Sequence, residues 1–106
     1  MMTYDLYGVE CLNLVSAKAQ IEALAGILFE ERDSTCHGGV YYLYGDNSSE
    51  HFVLKNNIDP YDGEPVEQEF SDYPFLLYVN ATGRSLELME ILKRKAGFSL
   101  LRHEVF

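Results

Sequence analysis

The chain has no tryptophan, three prolines and only two cysteines in 106 residues. Two thiols, Cys11 and Cys36, cannot build the disulfide framework that holds tiny secreted domains together, so the fold must rest on an apolar core. No uncharged run approaches the roughly 18 residues a membrane span requires; the longest, residues 34–45, contains Gly38 and Gly39. After Met1, Met2, Thr3, Tyr4 and Asp5 no basic residue precedes an apolar run, so no secretory signal and a cytoplasmic location are expected. A phosphate-cradling glycine loop, a serine elbow and a CxxC pair are all missing, and no catalytic residue or cofactor site is expected. Basic residues are scarce as well: eight Lys and Arg stand against 17 Asp and Glu, a formal charge of −9. Such a surface repels polyanions, which argues against nucleic acid as a partner.

The remaining composition is that of a chain that folds by itself, with 47% hydrophobic and 24% charged residues. At this length a single domain spanning residues 1–106 is expected, since two halves would each be too small to bury a stable core. Tyr4 to Val9 alternates in the manner of a first strand. From Ser16 as N-cap, Ala17, Ile21, Leu24, Ala25 and Leu28 fall at helical spacing and predict an amphipathic helix over 17–32. That helix would end among Glu30, Glu31 and Asp33, where the macrodipole disfavours negative charge. Val40 to Tyr44 and His51 to Lys55 flank a turn-rich stretch and read as a hairpin. Phe75 to Val79 is apolar on both faces and suits a central strand. A second helix capped by Thr82 or Ser85 carries Leu88, Ile91, Leu92 and Ala96 inward and stops at Gly97. The last strand, 98–105, sets Leu101, His103 and Val105 against Leu100, Arg102 and Glu104. The expected fold class is α+β: the order β-α-β-β-β-α-β, in a mostly antiparallel sheet with both helices on one face.

Charge is segregated along the chain. Between Lys55 and Arg84 there is no base, yet Asp59, Asp62, Glu64, Glu67, Glu69 and Asp72 supply six carboxylates. Solubilising tails are poor in prolines and aromatics, whereas this stretch carries Pro60, Tyr61, Pro65, Val66, Phe70 and Tyr73. Stiffened acidic surfaces with contact area raise the encounter rate with a basic partner. A calcium loop is the competing use of such carboxylates, but a loop starting at Asp59 would put Tyr61 and Gly63 at ligand positions and Glu64 where the turn needs glycine.

His37, His51 and His103 match no metal-ligand spacing, and no metal is expected. Cys36 beside His37 does not make a nucleophile and base, because neighbours on a strand point to opposite faces. Val40, Tyr41, Tyr42, Leu43 and Tyr44 invite comparison with RNA-recognition sheets, but the Lys or Arg that opens their signature is absent. The tyrosines are assigned instead to the core or to a protein interface.

Glu50, His51, Phe52, Val53, Leu54, Lys55 and Asn56, then Gly63, Glu64, Pro65, Glu69 and Phe70, then Tyr73 to Val79, together resemble the small immunity proteins of bacterial contact-dependent growth inhibition and related polymorphic toxin systems. The resemblance covers about residues 39–79. It implies a non-enzymatic cytoplasmic inhibitor, monomeric by expectation, that binds the C-terminal domain of a cognate toxin and covers its active site. Many such toxins are nucleases with basic clefts, and an RNase A-like ribonuclease is the class suggested. On this reading Asp59, Asp62, Glu64, Glu67, Glu69 and Asp72, with Asp46 and Glu50 from the hairpin, meet the basic cleft, while Tyr61, Phe70 or Tyr73 fills the centre of the interface. The rival expectations are an acidic adaptor or regulatory subunit bound to another basic protein, and a small metal-binding or enzymatic domain that uses the histidines.

Overall fold

Residues 4–9 alternate because each strand of an antiparallel sheet sends successive side chains to opposite faces. In the computed structural model, which describes residues 2–34, 39–46, 48–59, 62–94 and 97–105, six strands obey that rule. They are β1 (Thr3–Val9), β2 (Glu30–Ser34), β3 (Gly39–Gly45), β4 (His51–Asn56), β5 (Phe75–Thr82) and β6 (Phe98–Val105), and the helices are α1 (Leu14–Ala25) and α2 (Ser85–Lys93). The strands form one sheet in the order β2-β3-β4-β5-β1-β6, and every neighbouring pair is antiparallel. Cys36, His37, Gly38, Pro60, Tyr61 and Ala96 lie outside the described residues. The α+β class, the antiparallel sheet and the two helices are as the sequence predicts. A sixth strand is added, because β2 occupies residues expected to be helical.

That addition shows how α1 is bounded. Asn13, not Ser16, caps the helix: its side-chain oxygen accepts the Ser16 N–H at 2.8 Å. Gly26 ends it seven residues earlier than predicted, adopting φ +69, a left-handed conformation that costs glycine nothing, and donating its N–H to the Glu22 carbonyl. A carboxylate oxygen of Glu22 then accepts the Phe29 N–H at 2.8 Å and turns the chain back towards the sheet. Beyond Gly26 the period changes from helical to two: Ile27 and Phe29 are buried and Leu28 is exposed. Leu28 therefore fitted the helical stripe by coincidence, and Glu30, Glu31 and Asp33 lie on an edge strand where no macrodipole opposes them.

Both helices cover the face of the sheet that carries Tyr7, Val9, Phe52, Leu54, Leu77 and Val79. Ala17 and Ile21 of α1, with Leu88 and Leu92 of α2, complete this core. Burying each large aliphatic side chain contributes about 1.5–3 kcal/mol. The start of α2 also departs from expectation. Arg84 is the cap residue and makes no side-chain cap bond; Ser85 is the first helical residue, and its hydroxyl donates to Asp5 at 2.6 Å. The Thr82 hydroxyl accepts the Arg84 N–H at 3.1 Å. Ladder irregularities shift register twice. One, where Thr3 and Asp5 face Thr82 and Val79, coincides with Ala81 at φ +54. The other, where Leu6 and Tyr7 face Arg102 and Leu100, leaves Leu101 as an extra residue. This bulge moves Leu100 onto the helix-covered face with His103 and Val105, so the predicted division of β6 into two alternating sets does not hold.

Among the described residues the second face of the sheet carries no α-helix. Part of it lies under the segment joining β4 to β5, whose Tyr73 ring rests on Gly8 of β1. A Cβ at Gly8 would sit 2.5 Å from ring carbons of Tyr73, so only glycine lets the segment approach this closely. Gly8→Ala is expected to destabilise the protein by about 1–3 kcal/mol, seen in urea titration as a lower midpoint at unchanged slope.

Candidate interaction surface

The β4–β5 connection spans residues 57–74, long for a connection between adjacent strands. One side chain holds it. Asn57, only 4% exposed, donates its two amide N–H groups to the carbonyls of Phe70 (3.1 Å) and Tyr73 (3.0 Å), while its oxygen accepts the Glu67 N–H (2.9 Å). Its own backbone N–H donates to the Pro74 carbonyl at 2.9 Å, tying entry to exit. Within the segment, Asp59 and Glu64 close a tight turn: the Asp59 N–H donates to the Glu64 carbonyl, the Gly63 N–H to the Asp59 carbonyl, and an Asp62 carboxylate oxygen accepts the Glu64 N–H. A single 3₁₀ turn, Gln68–Phe70, follows.

Glu67 is the electrostatic counterpart of Asn57. Its carboxylate accepts the Tyr78 hydroxyl from β5 and the Arg102 guanidinium from β6, each at 2.7 Å. Burial pushes the Glu67 carboxyl up, but these two donors outweigh it and hold its pKa below the ordinary carboxylate range. Desolvation and the same carboxylate raise the Tyr78 hydroxyl. Lys55, 9% exposed, lies beneath the segment: burial lowers its pKa, and the carboxylates of Asp59 and Glu67 oppose that shift. An ammonium with carboxylates close by can remain charged where an isolated one could not.

The predicted interface residues therefore separate into groups. Asp62, Glu64, Glu69 and Asp72 are exposed on the anchored segment, and Asp59 is half-buried there. Glu67 faces inward. Phe70 and Tyr73 are half-buried, and the Tyr73 ring, packed on Gly8, fastens the segment to the sheet. Tyr61 lies outside the described residues. Asp46 and Glu50 sit at the far end of β4, which at about 3.3 Å per residue puts the length of the strand between them and the acidic segment. Asp46 closes the β3–β4 turn by accepting from the Ser48 N–H at 3.0 Å and the Ser48 hydroxyl at 2.5 Å. Glu50 is engaged internally: Arg84 grips it with Nε at 2.8 Å and Nη2 at 2.9 Å, and the Thr82 hydroxyl donates to it at 2.7 Å. The Arg84 bonds, assisted by Thr82, hold the Glu50 carboxyl below its ordinary range against the opposing effect of burial.

Sequence reasoning missed Asn57, Tyr78 and Arg102, the residues that convert an acidic stretch into an anchored one. An asparagine in a turn-rich string looks like any other, and Glu67, which Arg102 bonds, lies 35 residues away. It also missed Asp5, whose side chain is fully buried between the Ser85 hydroxyl and Nδ1 of His103, 2.5 Å away. In this cluster the carboxylate is central and the hydroxyl points at it, whereas the hydrolase arrangement requires an imidazole between hydroxyl and carboxylate. Among the described residues no group of three or more His, Cys, Asp and Glu is placed to hold a metal. Beside the anchored segment the second face stays open as a cleft of about 530 Å³ lined by Tyr4, Leu6, Tyr78, Asn80, Arg102 and Glu104.

Asn57→Ala should leave two carbonyls and one N–H without partners and destabilise the protein by roughly 2–4 kcal/mol. Limited proteolysis should then cut first within residues 62–73, and uniform resistance there would show that the clip is dispensable. The pH dependence follows from Glu50 and Glu67, both depressed in the folded chain. Their contribution is complete above the unfolded value of about 4.3 and is lost as pH falls through the lower folded values. Urea midpoints measured downward from pH 5 should fall, and Glu50→Gln should shrink the fall.

No protein-family model matches this chain, nor does any curated protein.

Proposed function

We propose that this protein is an immunity-type inhibitor that binds and neutralises the basic domain of a cognate toxin, a nuclease and most simply a ribonuclease, by laying an acidic surface over its active-site cleft. The observation that carries this reading is the clip: Asp62, Glu64, Glu69 and Asp72 are exposed on a segment whose backbone is fixed by Asn57 and Glu67. Carboxylates on an anchored segment lose little further conformational freedom on association, and with the nearby bases Lys55 and Arg102 respectively buried and bonded to Glu67 they attract a basic partner from a distance. The four residues also carry no internal salt bridge among the described residues, so their charge is available. The resemblance of residues 39–79 to immunity proteins points the same way, and the toxin's phosphate-gripping cleft is the chemistry such a surface complements.

The structure shifts the division of labour within the proposal. Glu50 and Glu67 become positioning groups rather than contacts, because each is bound to an arginine of its own chain. Tyr73 supports the segment from beneath. Apolar contact area is supplied next to the carboxylates by the open second face, where Tyr4 and Tyr78 are half-buried. No helix among the described residues is long and apolar enough to cross a membrane, and the proposed site of action is the cytoplasm of the producing cell.

Co-expression with the protein encoded immediately upstream should yield a stable complex and restore growth; absence of both would sink the proposal. In that complex the variant D62N/E64Q/E69Q/D72N should lose at least about tenfold in association rate at low salt and show a flatter salt dependence, with dissociation little changed. Stopped-flow mixing across ionic strengths measures this. An unchanged rate and slope would show that the acidic segment is not the docking surface.

A further inference from the structure

The sheet has two edges, and they are built differently. The β2 edge is five residues long and presents Glu30, Glu31, Arg32 and Asp33, the short and charged form by which natural sheets block strand addition. The β6 edge is eight residues long, is flanked by a strand on one side only, and exposes Leu100 (41%) and Val105 (50%). Its outward N–H and C=O groups form an open template. The Leu101 bulge puts Leu100 on the helix-covered face with Val105, where α2 adds the exposed Leu86 and the half-buried Met89. An unprotected strand edge thus runs beside an apolar flank.

Charge identifies what covers it. Two chains of formal charge −9 repel, but residues 84–106 carry five basic against three acidic side chains, while residues 1–83 carry three against fourteen. The β6–α2 flank is where two copies meet with least repulsion. β6 is also self-complementary. Strands paired antiparallel about a two-fold axis at His103 place Arg102 of each copy opposite Glu104 of the other, and directly opposed residues share a face of the sheet. Both side chains are exposed on the second face. Arg102 spends Nη2 on Glu67 and keeps further guanidinium N–H groups for Glu104 of a second copy. A register centred on Arg102 would instead oppose two guanidinium groups. We propose that β6 pairs antiparallel with β6 of a second copy of this chain, continuing the sheet through a homodimer and burying Leu86, Leu100 and Val105 on its helix side.

Sedimentation velocity on the full chain from about 1 to about 200 µM should show a monomer–dimer equilibrium. Leu100→Lys and Glu104→Lys should each raise the dimer dissociation constant at least about tenfold, while Leu12→Lys, at a 91% exposed position before α1, should leave it unchanged. Circular dichroism checks that the variants fold. Hydrogen exchange supplies a readout independent of substitution: β6 amides should be protected more strongly at high than at low concentration. A monomer across the whole range overturns the proposal. So does a dimer insensitive to both β6 variants, or β6 exchange independent of concentration, either of which would place the contact elsewhere. If the free chain is monomeric and β6 becomes protected only in a complex with a toxin, the edge belongs to that partner and the homodimer is wrong.

Discussion

The amide of Asn57 meets three backbone groups of a connection that would otherwise have no regular structure, and much of the second face of the sheet depends on it. A buried carboxamide has two donors and an acceptor to satisfy, and the carbonyls of Phe70 and Tyr73 with the N–H of Glu67 supply all three. Each of these groups would cost about 1–3 kcal/mol if buried without a partner, so the arrangement holds together as a unit. With residues 67, 70 and 73 fixed, Tyr73 lands on Gly8, Glu67 reaches Tyr78 and Arg102, and Lys55 is closed over. The segment serves as the cover that a third helix would provide in a larger α+β domain.

Electrostatics within the fold divides the acidic residues into those that hold the structure and those left to the solvent. Glu50 and Glu67 each combine an arginine with a hydroxyl donor from β5, one at the end of that strand and the other at its middle: Arg84 with Thr82, Arg102 with Tyr78. In both places an arginine from the C-terminal quarter of the chain is bonded to a glutamate from its middle. The local excess of bases after residue 84 therefore helps the chain close on itself, and the carboxylates that remain unneutralised concentrate in residues 59–72. A surface so arranged is acidic because the bases that meet it, Lys55 and Arg102, are buried or bonded to Glu67.

The two faces and the two edges of the sheet have different fates. Helices α1 and α2 bury the centre of one face and leave its β6 margin exposed, the anchored segment covers part of the other, and charge guards the β2 edge. What remains are the cleft beside Tyr4 and Tyr78 and the long β6 edge. They adjoin at Arg102 and Glu104 of β6 but differ in chemistry, one bordered by carboxylates and the other flanked by leucine and valine.

Much of this could be read from the order of residues, because the information was local. Alternation in residues 4–9 and 98–105, apolar runs at 40–44 and 75–79 and the turn-rich stretch before 51–55 locate five strands, and Leu88 and Leu92 locate the inner face of α2. The six carboxylates between Lys55 and Arg84 are a plain property of the string. The extent of α1 is masked in the sequence because Leu28 continues a helical stripe; Gly26 and the alternation of Ile27 with Phe29 are the signals that outweigh it. The bulge at Leu101 left no local trace, since a register shift appears only against the partner strand. Which carboxylates are exposed was decided entirely by tertiary structure. Glu67 and Glu69 are equivalent in sequence, yet one faces Tyr78 and Arg102 and the other faces water. Composition and period determine which elements form and what sign of charge they carry; the pairing of groups tens of residues apart determines which of those charges a partner can reach.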